Sequence, residues 1–182
     1  MKRRIVALTL ALSVFAVSSA FAQADLGLKK VGVSLGYVSP ENLDGTFSFG
    51  ALIDHGTIAP RFGLESRLEY WGWSENLGGT ESKLHDIVLG ARTKYHFETA
   101  NPKVQPFVGA GLGIHFLTAE VTSTSPAFST SASDNKLGID IGGGVAVPVN
   151  PNSDFLGEVW NSFVDGTNQF SLRAGMQWKF RH

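Results

Sequence analysis

The sequence predicts an all-β fold, an eight-stranded antiparallel transmembrane β-barrel, on three observations. After residue 22 the chain has no run of 18 or more apolar residues that could form a membrane-spanning helix. Eight segments of about ten residues alternate apolar and polar side chains and are separated by turn residues. Aromatic residues collect at the ends of several of these segments, as they do at membrane interfaces. An even number of strands places both chain termini on the periplasmic side of an outer membrane.

The first 22 residues have the pattern of a cleavable signal peptide. Lys2, Arg3 and Arg4 form the basic start, and Ala20-Phe21-Ala22 supplies the small residues of a cleavage site. The apolar stretch between them, Ile5 to Val17, has thirteen residues, fewer than the roughly 20 of a spanning helix. We therefore predict cleavage after Ala22, export to the outer membrane, and one barrel domain over residues 23–182.

The first four strands each have an apolar face opposite a polar or charged one. Their apolar faces are Val31, Val33, Leu35 and Tyr37; Phe47, Phe49, Ala51 and Ile53; Phe62, Leu64, Leu68 and Tyr70; and Ile87, Leu89, Ala91, Thr93, Tyr95 and Phe97. The predicted ranges are Lys30–Val38, Phe47–Asp54, Arg61–Trp71 and Asp86–Phe97. This period of two is typical of a strand with two different environments on its faces.

The last four strands continue the alternation, with strand seven the weakest of the eight. The predicted ranges are Val104–Leu117, Leu137–Val147, Phe155–Phe163 and Phe170–Phe180. In strand seven Glu158 lies opposite Phe155, Val159 and Phe163, but Leu156 and Trp160 blur the contrast. The final strand has the clearest pattern of all.

The polar faces carry charged residues of both signs, which the barrel would turn inward. They are Glu65, Arg67, Glu69, Arg92, Lys94, Asp140, Glu158 and Arg173. The interior of an eight-stranded barrel is just wide enough for side chains, and buried charges must pair to offset their desolvation. We therefore predict a salt-bridged plug, not a water-filled channel, with inward glycines of strands five and six making room for large neighbours.

The connections predict which end of the barrel is outside. Short turns at His55–Pro60, Glu98–Lys103 and Asn150–Asp154 are assigned to the periplasm. Two longer loops, Ser74–Lys83 and the Ser/Thr-rich Thr118–Asn135, are assigned to the extracellular side, with short loops near Asn42 and Gly166.

Alternation alone also fits a soluble periplasmic barrel or sandwich, in which the apolar face would point inward. Aromatic placement favours the membrane. Interfacial girdles are predicted from the residues at the ends of strands three, four and eight: Tyr70, Trp71, Trp73, Tyr95, Phe97, Trp178 and Phe180.

Two stretches resemble a known family. Gly90-Ala91-Arg92-Thr93-Lys94-Tyr95-His96-Phe97 and Pro106-Phe107-Val108-Gly109-Ala110-Gly111-Leu112-Gly113 are similar to strands four and five of the outer membrane protein beta-barrel domain family. The aromatic-rich last strand is similar too, so the likeness covers the whole mature chain. The resemblance implies a small outer-membrane barrel. Such barrels often end on a phenylalanine that the assembly machinery reads, whereas Phe180 here precedes Arg181 and His182.

Several activities find little support in the sequence. Removing the signal leaves 12 basic and 16 acidic residues, so the mature charge is 12 − 16 = −4, which argues against a nucleic-acid partner. No cysteine is present, and no histidine or carboxylate cluster has metal-ligand spacing, so no cofactor is expected. The glycine-rich run Gly109–Gly113 alternates as a strand does and lacks the Lys-Ser/Thr pair of a phosphate loop.

A lipid A-modifying enzyme would need a serine, a histidine and a carboxylate at the outer rim. Only Ser82, His85 and Asp86 could form such a set, and a solvated loop histidine is the simpler interpretation. We therefore predict no catalytic site.

The expected role is an integral outer-membrane scaffold whose second and third extracellular loops serve envelope integrity or adhesion. The alternatives are a carrier or narrow channel for small hydrophobic molecules and a lipid A-modifying enzyme. The expected partners are outer-membrane lipid, lipopolysaccharide and the assembly machinery, with the barrel itself a monomer.

Overall fold

The fold is a closed barrel of eight strands in which each strand pairs with its sequence neighbours and β8 pairs with β1. The computed structural model describes residues 24–101, 103–124 and 127–180. The predicted signal peptide, residues 1–22, and the last two residues, Arg181 and His182, lie outside them. The strands are β1 Asp25–Pro40, β2 Thr46–Ala59, β3 Phe62–Leu77, β4 Thr80–His96, β5 Gln105–Thr124, β6 Ala127–Asn150, β7 Ser153–Val164 and β8 Gln169–Lys179.

All eight pairings are antiparallel, and the closing pair is continuous. β1 runs beside β8 from the Lys30–Lys179 pair to the Pro40–Gln169 pair. The end that holds Asp25 and Lys179 is the periplasmic end in the predicted orientation, and the opposite end is the extracellular one. None of the described residues belongs to a helix long and apolar enough to cross a membrane.

The two faces of the sheet decide between the membrane barrel and the soluble alternative. All eight charged residues that were predicted to point inward are buried. The apolar residues of the opposite face are exposed, and Leu35 and Phe47 keep 71% and 81% of their surface accessible. A soluble barrel would bury these side chains to gain their hydrophobic free energy. The eight-stranded transmembrane prediction is confirmed, and the soluble sandwich is wrong.

The periplasmic aromatic girdle is as predicted, but the extracellular one is not. Tyr95 packs between Phe62 and Phe97, with ring centroids 5.0 and 5.1 Å away. Phe97, Trp178 and Phe180 are also exposed on the outer surface. Of the three aromatics assigned to the other girdle, only Tyr70 is on the outward face.

The assignment of Trp71 to the extracellular girdle is wrong, because Trp71 is 1% exposed and lies inside the barrel. Consecutive residues of a strand point to opposite faces, so Tyr70 and Trp71 cannot both face lipid. Trp73, which shares the face of Trp71, lines a cavity at the extracellular mouth.

The two predicted long loops, Ser74–Lys83 and Thr118–Asn135, are wrong, because most of their described residues belong to strands. β3 and β4 stay paired to the Leu77–Thr80 pair, and β5 and β6 stay paired to the Thr124–Ala127 pair. β4 and β5 also remain in register as far as the Thr80–Ser123 pair. Residues 127–135 of β6 are exposed on both faces, so neither face has to be apolar and the residues show no period although the backbone remains a sheet.

Strand seven is blurred in the sequence because large apolar side chains point into the barrel. Leu156 and Trp160 are buried on the same face as Glu158, whereas Phe155, Val159 and Phe163 are exposed on the other. A prediction that expects every inward-facing residue to be polar therefore fails for β7.

Candidate functional site: the barrel interior and the extracellular sheet

The centre of the barrel is an ion-pair network around Asp140 of β6. Asp140 is fully buried and accepts hydrogen bonds from Arg67 at 2.8 Å, Arg92 at 3.2 Å and Ser162 at 2.5 Å. Arg67 also donates to Glu69 at 2.6 Å, and Arg173 lies 2.7 Å from the same carboxylate. The network thus joins β3, β4, β6, β7 and β8 across the interior.

A second network lies nearer the periplasmic end. Lys94 donates to Glu65 and Glu158, each at 2.7 Å. Gln177 donates to Glu65 at 3.0 Å, and Trp160 donates to Glu158 at 3.2 Å. A single ammonium group therefore holds two carboxylates from β3 and β7, which offsets the desolvation of all three.

The eight predicted inward charges form these two networks, with four acids and four bases. The predicted salt-bridged plug is confirmed in its geometry. Some buried atoms nevertheless lack a protein partner, among them both terminal guanidinium nitrogens of Arg92 and Oε1 of Glu65. Buried polar atoms are normally hydrogen-bonded, so these positions are suited to ordered water.

Inward glycines give the large side chains their space. A Cβ at Gly111 would lie 2.5 Å from the Arg92 side chain, and one at Gly36 would lie 2.9 Å from the Arg173 side chain. Gly109 and Gly142 leave similar room for the ring of Trp160, where an added Cβ would come within 2.9 and 2.7 Å. Glycine on β5 and β6 was predicted to serve this purpose.

A third polar chain lies toward the extracellular end and was missed in the sequence. Trp71 donates to Gln169 at 3.3 Å, and Gln169 donates to Asp86 at 2.9 Å. Asp86 lies 2.7 Å from Nδ1 of His115, and both residues are fully buried. Asp86 and His115 lie on the inward faces of the neighbouring strands β4 and β5, but the sequence alone does not show that their side chains meet.

The structure does not assemble the candidate catalytic set. His85 is bonded through Nδ1 to the Tyr70 hydroxyl at 2.8 Å, on the outer side of the sheet. Asp86 points into the barrel, where His115 and Gln169 engage it. Neighbouring residues of a strand diverge by necessity, so Asp86 cannot orient His85. In the described part of the chain, no group of three or more histidines or carboxylates could hold a metal ion.

At the periplasmic rim, ion pairs link the strands that close the barrel. Asp154 of β7 lies 2.9 Å from Lys30 of β1 and 2.6 Å from Lys179 of β8, and Lys30 also lies 3.6 Å from Asp54 of β2. These ion pairs link β1, β2, β7 and β8 around the point where the barrel closes.

A separate contact lies in the turn between β2 and β3, where the Tyr95 hydroxyl and then Glu98 raise the pKa of Arg61.

The extracellular end is acidic. Seven acids and two bases lie beyond the interior networks on that side, so its formal charge is 2 − 7 = −5. The acids are Glu41, Asp44, Glu75, Glu81, Glu120, Asp134 and Asp165, and the bases are Lys83 and Lys136. This face repels polyanions and attracts cationic groups.

The barrel has an apolar outer belt and a closed polar interior, and β3, β4, β5 and β6 extend beyond the other strands as a protruding sheet. These features define a small β-barrel of an outer membrane. The chain belongs to the outer membrane protein beta-barrel domain family, whose model matches residues 7–180. It is therefore an outer-membrane barrel protein, as the resemblance implied. No curated relative matches the chain.

Solved structures share the fold at low sequence identity. Neisserial surface protein A is 20% identical over 86% of this chain and 100% of that chain, with a TM-score of 0.66. The N-terminal barrel of Pseudomonas aeruginosa OprF is 16% identical over 85% and 99%, with a TM-score of 0.57. Yersinia pestis Ail, the attachment invasion locus protein, in complex with the heparin analogue sucrose octasulfate, is 15% identical over 83% and 96%, with a TM-score of 0.55.

Proposed function

We propose that the protein is a non-conducting structural barrel with a sheet that serves recognition at the cell surface. This recognition sheet is the protruding part of the barrel, formed by the extracellular ends of β3, β4, β5 and β6. The length of β5 and β6 is the observation that carries this proposal. They have 20 and 24 residues, about twice the 9–11 residues that cross a membrane. The excess of about ten residues at about 3.3 Å each extends the sheet by roughly 30 Å. A barrel that only stabilised the envelope would need no such extension.

The filled interior supports a structural role over transport. The two ion-pair networks connect different strands across the interior, and the Arg92 guanidinium lies over the ring of Trp160 there. The cavity at the periplasmic end, beside Lys94 and Gln177, measures only about 30 Å³. A carrier of hydrophobic molecules would need a larger, apolar chamber. The divergence of His85 and Asp86 likewise gives no support to lipid A chemistry.

The open edge of β6 suggests how the protruding sheet would recognise a partner. β6 pairs with β7 only from Gly138 onward, so residues 127–137 pair with no strand on that side within the described chain. Residues 127–133 contain no charged residue and no proline, the residue types that oppose the pairing of an edge strand with another chain. An extended segment of a partner can add to such an edge as a further strand.

The charge of the extracellular end indicates the chemistry of that partner. Asp134 lies on β6 and Glu120 lies opposite Ser131 on β5, so an incoming strand with basic side chains is favoured. The sulfated ligand bound in the Ail structure belongs to that protein. A net charge of −5 on this face does not favour a polysulfated ligand here.

Two measurements test the proposal on the protein in lipid nanodiscs and planar bilayers. The bilayer should show no stable stepwise conductance. An immobilised peptide of alternating valine and lysine should bind the barrel, and a valine–glutamate peptide should not. Ser131→Lys on the β6 edge should abolish binding, whereas Thr122→Lys on β5, which adds the same charge inside the sheet, should retain most of it. Stepwise conductance, or equal effects of the two substitutions, would overturn the proposal.

Export, assembly and oligomeric state are further parts of the proposal. N-terminal sequencing of protein from the outer-membrane fraction should begin at Gln23. That fraction should shift in gel mobility on boiling, since a closed barrel in detergent stays folded until heated. Lipopolysaccharide and lipid would surround the apolar belt, and the assembly machinery would insert the barrel. A monomer is expected, because the β1–β8 pairing leaves the membrane-spanning sheet without an edge.

A further inference from the structure

We infer that the cavity at the extracellular mouth of the barrel is a binding site for an unsulfated saccharide. The cavity has a volume of about 630 Å³, within the range of about 300–1,000 Å³ that small-ligand sites occupy. It lies between the short β1–β2 and β7–β8 connections and is bounded by Trp73 of the protruding β3. The site is separate from the open edge of β6.

The walls offer the groups that a sugar needs. Trp73 provides an aromatic surface with a polar N–H at its edge, the type of side chain that packs against the C–H face of a sugar ring. Asp44 and Glu75 line the cavity with Trp73, and both carboxylate side chains are exposed. Carboxylate oxygens accept hydrogen bonds from ligand hydroxyls, which are strengthened by the charge.

The opposite wall is held in place before any ligand arrives. The backbone N–H of Glu41 donates to the carbonyl of Asn168 at 2.7 Å, and the Asn168 amide donates to the Glu41 carboxylate at 3.0 Å. Gln169 is fixed by Trp71 and Asp86 at the floor of the cavity. Rigid walls lower the entropy cost of binding, so this cavity is pre-organised.

The charges of the wall select among sugars. No lysine or arginine is among the described residues that line the cavity, whereas Glu41, Asp44 and Glu75 are. Phosphate, sulfate and uronate groups would meet three carboxylates and no cation, at an electrostatic cost. Neutral sugars and amino sugars avoid this cost, and an amino sugar gains an ion pair. The ligand class is therefore a neutral or amine-bearing saccharide.

A direct test titrates the barrel in nanodiscs with saccharides and follows tryptophan fluorescence and heat. The probes are N-acetylchitobiose, chitobiose with free amines, lactose and a sulfated disaccharide of the same size. We expect at least one unsulfated probe to bind and the sulfated one not to bind. Trp73→Ala should weaken binding at least about tenfold, which corresponds to about 1.4 kcal/mol, and Trp73→Phe should retain part of it.

Matched controls distinguish this site from the recognition sheet. Glu75→Gln removes a charge inside the cavity and should weaken the amine-bearing probe more than the neutral one. Glu81→Gln removes a charge of the same sheet outside the cavity and should change neither. Ser131→Lys on the β6 edge should also leave saccharide binding unchanged, so failure here leaves the edge proposal standing.

The source of the sugar is resolved in separate arms with purified rough lipopolysaccharide and with free oligosaccharides. Binding of lipopolysaccharide that depends on Trp73 indicates a sugar of the membrane itself, and binding of free oligosaccharides alone indicates an external glycan. The inference is overturned if no unsulfated probe binds a barrel that is folded by gel mobility. It is equally overturned if Trp73→Ala has no effect or if the sulfated disaccharide binds as well.

Discussion

Arg92 lies over the ring of Trp160 inside the barrel, with its Cζ atom 3.8 Å from the centroid of the ring. The same guanidinium donates through Nε to Asp140 at 3.2 Å. Its two terminal nitrogens have no protein hydrogen-bond acceptor. The aromatic face therefore partly replaces the partners that a buried cation requires, since cation–π attraction is stronger away from water. This pair explains why a bulky tryptophan shares the polar face of β7.

Asp140→Ala should destabilise the barrel strongly. The substitution removes the acceptor that Arg67 and Arg92 share, so Arg67 keeps only Glu69 and the buried Arg92 loses the carboxylate to which it donates, at an expected cost of about 3–5 kcal/mol. Urea unfolding in lipid vesicles, followed by tryptophan fluorescence, measures the change. The matched control is Glu81→Ala, because its exposed pair with Lys83 is worth at most about 1 kcal/mol. Equal losses in the two variants would contradict the central role of Asp140.

Gly142→Ala should cost much more stability than Gly113→Ala, although both glycines face inward on neighbouring strands. An alanine Cβ at residue 142 would lie 2.3 Å from the Val159 carbonyl oxygen and 2.7 Å from Trp160. At residue 113 the nearest atoms are side-chain atoms of Val88 and Arg67, 3.2 and 3.3 Å away. We expect a loss of about 1–3 kcal/mol at residue 142 and less than half of that at residue 113. A reversed order in the same unfolding assay would refute this account of the packing.

The sequence predicted the strand count, the inward charges and their pairing because all three follow from period two and the narrow interior. It could not predict the protruding sheet, since residues 118–135 are mostly polar and show no alternation of apolar and polar side chains. It also placed Trp71 in a girdle, because aromatic clustering was given more weight than strand parity. The Trp71–Gln169–Asp86–His115 chain joins β3, β4, β5 and β8. Such contacts depend on register, which a single sequence does not specify.

Ser82→Ala and His85→Ala should leave the lipid A profile unchanged. His85 is engaged by Tyr70, with stacked rings whose centroids are 6.0 Å apart, and Asp86 is on the opposite face. Mass spectrometry of lipid A from cells that produce each variant at equal levels provides the measurement. Cells without the protein provide the reference profile. A lipid A species that depends on Ser82 or His85 would show that the barrel is an enzyme after all.

Leu89→Arg should cost far more stability than Phe128→Arg, and the difference locates the outer boundary of the membrane. The two native side chains are similarly accessible, at 53% and 49%. Leu89 lies on the apolar belt beside Leu68 and Ile114, where an arginine facing lipid costs about 2–4 kcal/mol near the midplane. Phe128 lies near the tip of the β5–β6 hairpin, opposite Ser123, where the arginine would meet water and cost little. Unfolding in vesicles measures both values. Because the exposed areas match, a similar loss at the two positions would mean that the tip of β6 does not stand in water, and the protruding recognition sheet would have to be abandoned.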